Sequence, residues 1–93
     1  MTDETCRATL EIVNKLGLHA RAAVLLVQAS ARYDARVTVS KDGQEVDGRS
    51  IMGVMMLAAE QGSAIEVTTR GPQAREALAA IRELVEARFN EDS

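Results

Sequence analysis

The chain is poor in the residues that form disulfides and metal centres. Its 93 residues include a single cysteine, Cys6, and a single histidine, His19. A lone cysteine excludes an internal disulfide and favours a reducing compartment, and one cysteine with one histidine cannot supply the soft ligands of a zinc site. We therefore expect no disulfide framework, no zinc site and no bound cofactor, while a metal site built from carboxylates stays formally open.

Long apolar runs and an excess of positive charge are also missing. No stretch reaches the ~18 apolar residues of a membrane span, and the start, Met1 to Thr5, is polar and acidic, unlike a signal peptide. With 14 acidic and 11 basic residues, the formal net charge of -3 argues against nucleic acid as the main partner. We expect one cytoplasmic domain over residues 1–93, monomeric, without a membrane or nucleic-acid partner.

Hydrophobic periodicity predicts an alternation of strands and helices. The single-faced alternation of apolar residues in every strand favours a small α+β sandwich, in which helices cover one face of a largely antiparallel sheet. Asp42-Gly43 is typical of a tight hairpin turn. The expected strands are Arg7–Val13, Arg36–Lys41, Gln44–Asp47 and Ala64–Thr69, and the expected helices are Ala20–Arg32, a segment between Ser50 and Gly62, and one that starts at Gly71-Pro72 before a frayed tail, Asn90–Ser93.

The second predicted helix has an unusual composition. Ser50 is placed to act as its N-cap and Gly62 as its C-terminal stop. Gly53 in its interior costs about 1 kcal/mol relative to alanine, so a compensating feature is expected there. Met52, Met55 and Met56 surround that glycine; they either fill gaps in the core or form an adaptable binding surface, and the sequence favours neither.

His19 stands where a loop broken by Gly17 meets the first predicted helix. A helix start exposes unpaired backbone N–H groups and the positive end of the helix dipole, which together stabilise an anion. Arg21 adds a fixed cation two residues later. An imidazole that titrates near neutrality beside such a site suits reversible phosphorylation, whereas the plain alternative is a surface histidine that acts as an imperfect N-cap.

The two segments Gly17-Leu18-His19-Ala20-Arg21 and Ser50-Ile51-Met52-Gly53-Val54-Met55 together resemble the HPr phosphocarrier family of the bacterial phosphotransferase system. The resemblance implies that Nδ1 of His19 accepts a phosphoryl group from phosphoenolpyruvate-charged Enzyme I and passes it to an Enzyme IIA-type protein. It also implies that the chain is a carrier and not an enzyme. The implied phosphate-binding groups are Arg21 and the backbone amides from Ala20 onward, and the implied docking residues are Leu18, Ile51, Met52 and Met55.

The resemblance also implies an open-faced β-sandwich with the order β-α-β-β-α-β-α. Its four-stranded antiparallel sheet would have the order 1-4-2-3 and carry three helices on one face, an order that the hydrophobic pattern alone does not reveal. Ala22 replaces the proline that many sugar-system members have after the arginine. With the segment Met55 to Ala59, this makes the chain more similar to the nitrogen-related branch, NPr.

Some interpretations stay open. In some family members the serine equivalent to Ser50 is phosphorylated by a dedicated kinase, but the N-cap role accounts for Ser50 by itself. A regulator that acts by being phosphorylated, or a non-catalytic interaction domain, could share the fold. A hydrolase is disfavoured because no second catalytic group accompanies His19 in the sequence.

Overall fold

The computed structural model describes residues 4–93, so the acidic start that we interpret as unlike a signal peptide lies partly outside the described residues. Within these residues the chain forms four strands, three helices and one short helical turn, and the strands and helices follow the expected order. The bounds are β1 Glu4–Glu11, α1 Ala20–Ala31, β2 Arg36–Lys41, β3 Gln44–Asp47, α2 Ile51–Met56, β4 Ala64–Gly71, α3 Ala74–Glu86 and a final turn Arg88–Asn90.

The strands form one antiparallel sheet in the order β1-β4-β2-β3, as the family resemblance implies. In this register Leu10 lies opposite Ile65, and Val39 lies opposite both Val67 and Val46. The inward residues of neighbouring strands therefore form continuous apolar rows across the sheet, which fixes the register because a slip by one residue would expose them all.

The helices cover the face on which these rows lie, and the other face of the sheet stays open. One stripe of α3 is buried, as its periodicity predicts, and its residues join the strand residues in a single apolar core. In α1, Ala23 and Leu26 are fully buried and Val27 is packed against the core. The buried α3 stripe consists of Ala74, Ala77, Leu78, Ile81 and Val85.

Several element ends differ from the expected ones. Strand β1 spans Glu4–Glu11 and not Arg7–Val13, because it pairs with β4 along the whole of that strand. Helix α1 ends at Ala31, one residue before the expected end. Helix α2 stops at Met56 and not near Gly62, because Ala58 adopts a left-handed conformation (φ 50°) and turns the chain away. Gly71 is the last residue of β4, and α3 begins after it, at Ala74. The tail does not fray, since the backbone N–H of Lys15 donates to the Ser93 carbonyl at 3.0 Å.

Within residues 4–93, no helix is both long and apolar enough to cross a membrane. In the same part of the chain, no cluster of three or more histidine, cysteine and acidic side chains could hold a metal ion.

Candidate functional site

His19 is the N-cap residue of α1. Its backbone is extended (φ -74°, ψ 179°), and its carbonyl accepts the first helical hydrogen bond, from the Ala23 N–H at 2.9 Å. The imidazole makes no capping bond to the helix backbone. The N–H groups of Ala20, Arg21 and Ala22 therefore precede the first helical bond and remain available to an anion beside the His19 ring.

The turn before His19 is fixed by a close backbone approach. Gly17 has a left-handed φ of 66°, and a Cβ atom there would lie 2.3 Å from the carbonyl oxygen of Ala59. That same oxygen accepts a hydrogen bond from the Leu18 N–H at 2.9 Å. Only glycine fits this position, and the contact ties the His19 loop to the segment that follows α2.

The imidazole is held on one side by the C-terminal segment. His19 Nε2 lies 2.5 Å from Oε2 of Glu91, and the side chains of the two residues are 29% and 12% exposed. The Asn14 amide, which is fully buried, donates from Nδ2 to Glu91 Oε1 at 3.0 Å and to the Gly17 carbonyl at 2.9 Å. Asn14 therefore links the carboxylate to the turn that positions His19.

These contacts favour an ionised Glu91. Burial by itself would raise the pKa of the Glu91 carboxyl, but the hydrogen bonds from His19 and Asn14 and the charges of His19 and Arg21 outweigh it. As a result, the pKa of the Glu91 carboxyl lies below its ordinary value. The positive charge of Arg21 thus helps to lower the pKa of Glu91. The Arg21 guanidinium makes no ion pair within residues 4–93.

The second ring nitrogen of His19 is open. Within the described part of the chain, Nδ1 has no hydrogen-bond partner. Asn14 Oδ1 is the one fully buried side-chain polar atom there that lacks a partner, so the unpaired Nδ1 is not fully buried. Nδ1 is therefore in contact with solvent. The ring presents one free nitrogen and has the other tied to a carboxylate.

Ser50 caps α2 as expected. Its hydroxyl oxygen accepts a hydrogen bond from the Gly53 N–H at 3.0 Å. A Cβ at Gly53 would lie 3.1 Å from that oxygen and 3.2 Å from Cβ of Val46 on β3. The glycine in this helix is thus explained by the close approach of α2 to its own cap and to the neighbouring strand.

The methionines of α2 belong to the surface and not to the core. The large apolar side chains that are exposed within residues 4–93 all come from the loop before His19 and from α2. We call this group the apolar surface; it consists of Leu16 (67% exposed), Ile51 (42%), Met52 (70%), Met55 (38%) and Met56 (65%).

Leu18 is not among the exposed residues of the apolar surface, because its side chain is only 5% exposed and belongs to the core. The turn at Gly17 directs Leu18 inward and leaves its neighbour Leu16 exposed. Leu16, Leu18 and His19 nevertheless line the same shallow cleft, together with the Ala59 segment. The docking role of Leu18 therefore stays a prediction.

Sequence reasoning missed two residues of this site, Asn14 and Glu91. For Asn14 the sequence offers only a weak indication of a functional role, which is its position as a polar residue directly after the first predicted strand. Glu91 gave none, because it lies 72 positions from His19 in the chain and within a tail that we expected to fray.

Comparison with known proteins identifies the family of the chain. The family described as the PTS HPr component phosphorylation site matches residues 6–87. The phosphocarrier protein HPr of Xylella fastidiosa is 50% identical over 84 residues, which cover 90% of this chain and 94% of that protein. The phosphocarrier protein NPr of Escherichia coli is 43% identical over 89 residues, which cover 95% and 99%.

A solved structure gives the same result. The crystal structure of HPr from Thermoanaerobacter tengcongensis has a TM-score of 0.91 and 39% identity, and the match covers 95% of this chain and 99% of that one. Relatives named HPr and NPr both match, so the assignment to the NPr branch stays a prediction. Sequence and fold agree over nearly the full length, and the chain belongs to the HPr family of phosphocarrier proteins, which carry a phosphoryl group and are not themselves catalysts.

Proposed function

We propose that His19 accepts a phosphoryl group from Enzyme I, which is charged by phosphoenolpyruvate, and passes it to an Enzyme IIA-type protein. The proposal is supported above all by the two ring nitrogens of His19, the only histidine of the chain. Its Nδ1 is accessible to solvent at the start of α1, and its Nε2 is hydrogen-bonded to Glu91. A neutral imidazole is a competent nucleophile toward phosphorus, and its N–P bond can transfer the group onward.

The phosphoryl group is held by the start of α1. The backbone N–H groups of Ala20 and Arg21 lie ahead of the first helical hydrogen bond and can donate to phosphate oxygens. The exposed Arg21 side chain supplies a positive charge in the first turn, where the helix dipole by itself would favour an anion. These contacts are few and exposed to solvent, which suits a group that must leave again.

Both partners dock on the apolar surface. Ile51, Met52 and Met55 project from α2, and the exposed Leu16 joins Leu18 in the cleft that borders His19. Flexible thioethers fit successive partners of different shape. Because this surface must be exposed for docking, we propose that the carrier works as a monomer, and that it does so in the cytoplasm with its partner enzymes.

A serine kinase that acts on Ser50 is the regulatory part of the proposal. Ser50 directly precedes Ile51 and Met52, so a phosphate there would place negative charge next to the docking residues. We expect Ser50→Glu to slow acceptance from Enzyme I more than Ser50→Ala does, since only the former adds charge. Equal rates in the two variants would contradict this regulation.

The relay itself is tested with labelled phosphoenolpyruvate, Enzyme I, this protein and an Enzyme IIA-type acceptor. We expect label in the acceptor only when wild-type protein is present, and none with His19→Ala. Label that stays on the carrier would favour a phosphorylation-dependent regulator. A carrier that takes up no label would favour a non-catalytic interaction domain.

A further inference from the structure

The C-terminal segment, Arg88–Ser93, is built to deliver one side chain to His19. Arg88, Phe89 and Asn90 all have left-handed φ values, of 59°, 52° and 62°. Such conformations are unfavourable for non-glycine residues and persist only where surrounding contacts fix them. Phe89, which is 1% exposed, anchors the turn in the core. The chain therefore reverses after α3 and runs back to the start of α1.

Both carboxylate oxygens of Glu91 take part in hydrogen bonds. Oε2 lies 2.5 Å from His19 Nε2, and Oε1 accepts from the buried Asn14 amide at 3.0 Å. An ionised carboxylate has no proton to donate, so a neutral imidazole can form this hydrogen bond only with its proton on Nε2. That leaves the lone pair on Nδ1, the nitrogen that is open to solvent.

We propose that Glu91 is a positioning residue for phosphoryl transfer: it fixes the His19 tautomer with the proton on Nε2, so that Nδ1 is the nucleophile. The inference rests on the proposed function and deepens it. Glu91 lies beyond residues 6–87, the range that the family model matches, so that match assigns it no role. The positioning role is inferred from the contacts of Glu91 in this chain.

The carboxylate also matches the charge that develops in the transfer step. The Nδ1 lone pair forms a bond to phosphorus while the bond from phosphorus to the donor atom of Enzyme I breaks, and that electron pair returns to the donor atom. Because the proton stays on Nε2, the phosphorylated ring carries a positive charge. Glu91 lies directly against this charge and stabilises it. Transfer to the acceptor reverses these changes and restores the neutral ring.

The test compares wild type with Glu91→Ala and Glu91→Gln. Asp92→Asn is the matched control, since it removes one negative charge from an exposed neighbour in the same segment. His19 is the only histidine, so nitrogen NMR of the ring reports its tautomer without assignment ambiguity at a pH where the ring is neutral. Amide spectra verify folding, and Glu91→Gln keeps the side-chain shape in case Glu91→Ala does not fold. The Asn14 amide donates to the Glu91 side chain, so in Glu91→Gln the amide oxygen would accept from Asn14 and the NH2 group would face Nε2 of His19, where it favours the proton on Nδ1.

We expect wild type and Asp92→Asn to hold the ring proton on Nε2 and to carry phosphate only on Nδ1. In both Glu91 variants an Nδ1-protonated population should be detected, some phosphate should form on Nε2, and the rate of acceptance should fall about tenfold. An unchanged tautomer and rate in a folded Glu91 variant would overturn the proposal. The tautomer is measured without partner enzymes, so a wild-type protein that accepts no phosphate contradicts the proposed function separately.

Discussion

Gly17 and Ala59 approach each other so closely that a Cβ on Gly17 would lie 2.3 Å from the Ala59 carbonyl oxygen. The contact joins the loop that carries His19 to the segment that follows α2. Through it, the end of α1 that carries His19 is held next to the segment that follows α2.

We expect Gly17→Ala to lower the free energy of unfolding by roughly 2–4 kcal/mol, because it combines a left-handed φ with a backbone clash. Gly62→Ala is the control: its φ is 89°, but a Cβ there would have no atom within 4 Å. That variant should lose about 1 kcal/mol, from backbone strain alone. Denaturant titrations measure both, and equal losses would show that the contact with Ala59 does not matter.

Arg21→Ala should slow phosphoryl acceptance by about tenfold or more, since it removes a charge-assisted contact to the phosphate. Its exposed side chain contributes little to folding, so the free energy of unfolding should change by at most about 0.5 kcal/mol. Arg32→Ala, at the other end of α1, is a matched change of charge. Rapid-quench kinetics should show a normal rate for Arg32→Ala; a normal rate for Arg21→Ala would remove Arg21 from the site.

The lowered pKa of Glu91 predicts a pH-dependent contribution to stability. A carboxyl whose pKa is lower in the folded state stabilises that state fully above its unfolded pKa, near 4.5, and loses the effect as pH falls through the folded value. Glu91→Gln should therefore be less stable than wild type near neutral pH, by about 1–3 kcal/mol. The difference should shrink as pH falls below 4.5. Denaturant titrations across this range check it; a constant difference would contradict the charged interaction.

Met52→Ser should weaken docking without unfolding the protein. Met52 is 70% exposed, so its removal leaves no cavity in the core. We expect the KM of Enzyme I for this carrier to rise about fivefold, as for the loss of one apolar interface contact. Ala79→Ser, a similar change on the exposed side of α3, should leave the KM unchanged. A KM that responds equally to both substitutions would place the docking surface elsewhere.

Local signals explain why much of the fold can be predicted from the sequence. The hairpin β2–β3 has the predicted bounds because Asp42 and Gly43 both adopt the positive φ that such a turn requires, 52° and 83°. Ser50 caps α2 because its hydroxyl reaches a backbone N–H three residues away. Each of these features depends on residues that are neighbours in the chain.

The features that were missed depend on distant residues. The end of α2 is set by a left-handed Ala58, a conformation that alanine rarely adopts and that its neighbours do not encode. Glu91 reaches Asn14 across 77 positions, through a turn that is anchored by the burial of Phe89. The inward direction of Leu18 follows from the Gly17 turn. Packing of separate segments decides each of these, and periodicity does not report it.

Mass spectrometry decides whether His19 carries the phosphoryl group. Wild type and His19→Ala are each incubated with Enzyme I, magnesium and phosphoenolpyruvate, after circular dichroism has shown that both are folded. We expect one added phosphate on wild type, labile in acid, and none on His19→Ala. No added mass on wild type, with Enzyme I shown to phosphorylate itself, or a phosphate that persists in His19→Ala, would contradict it.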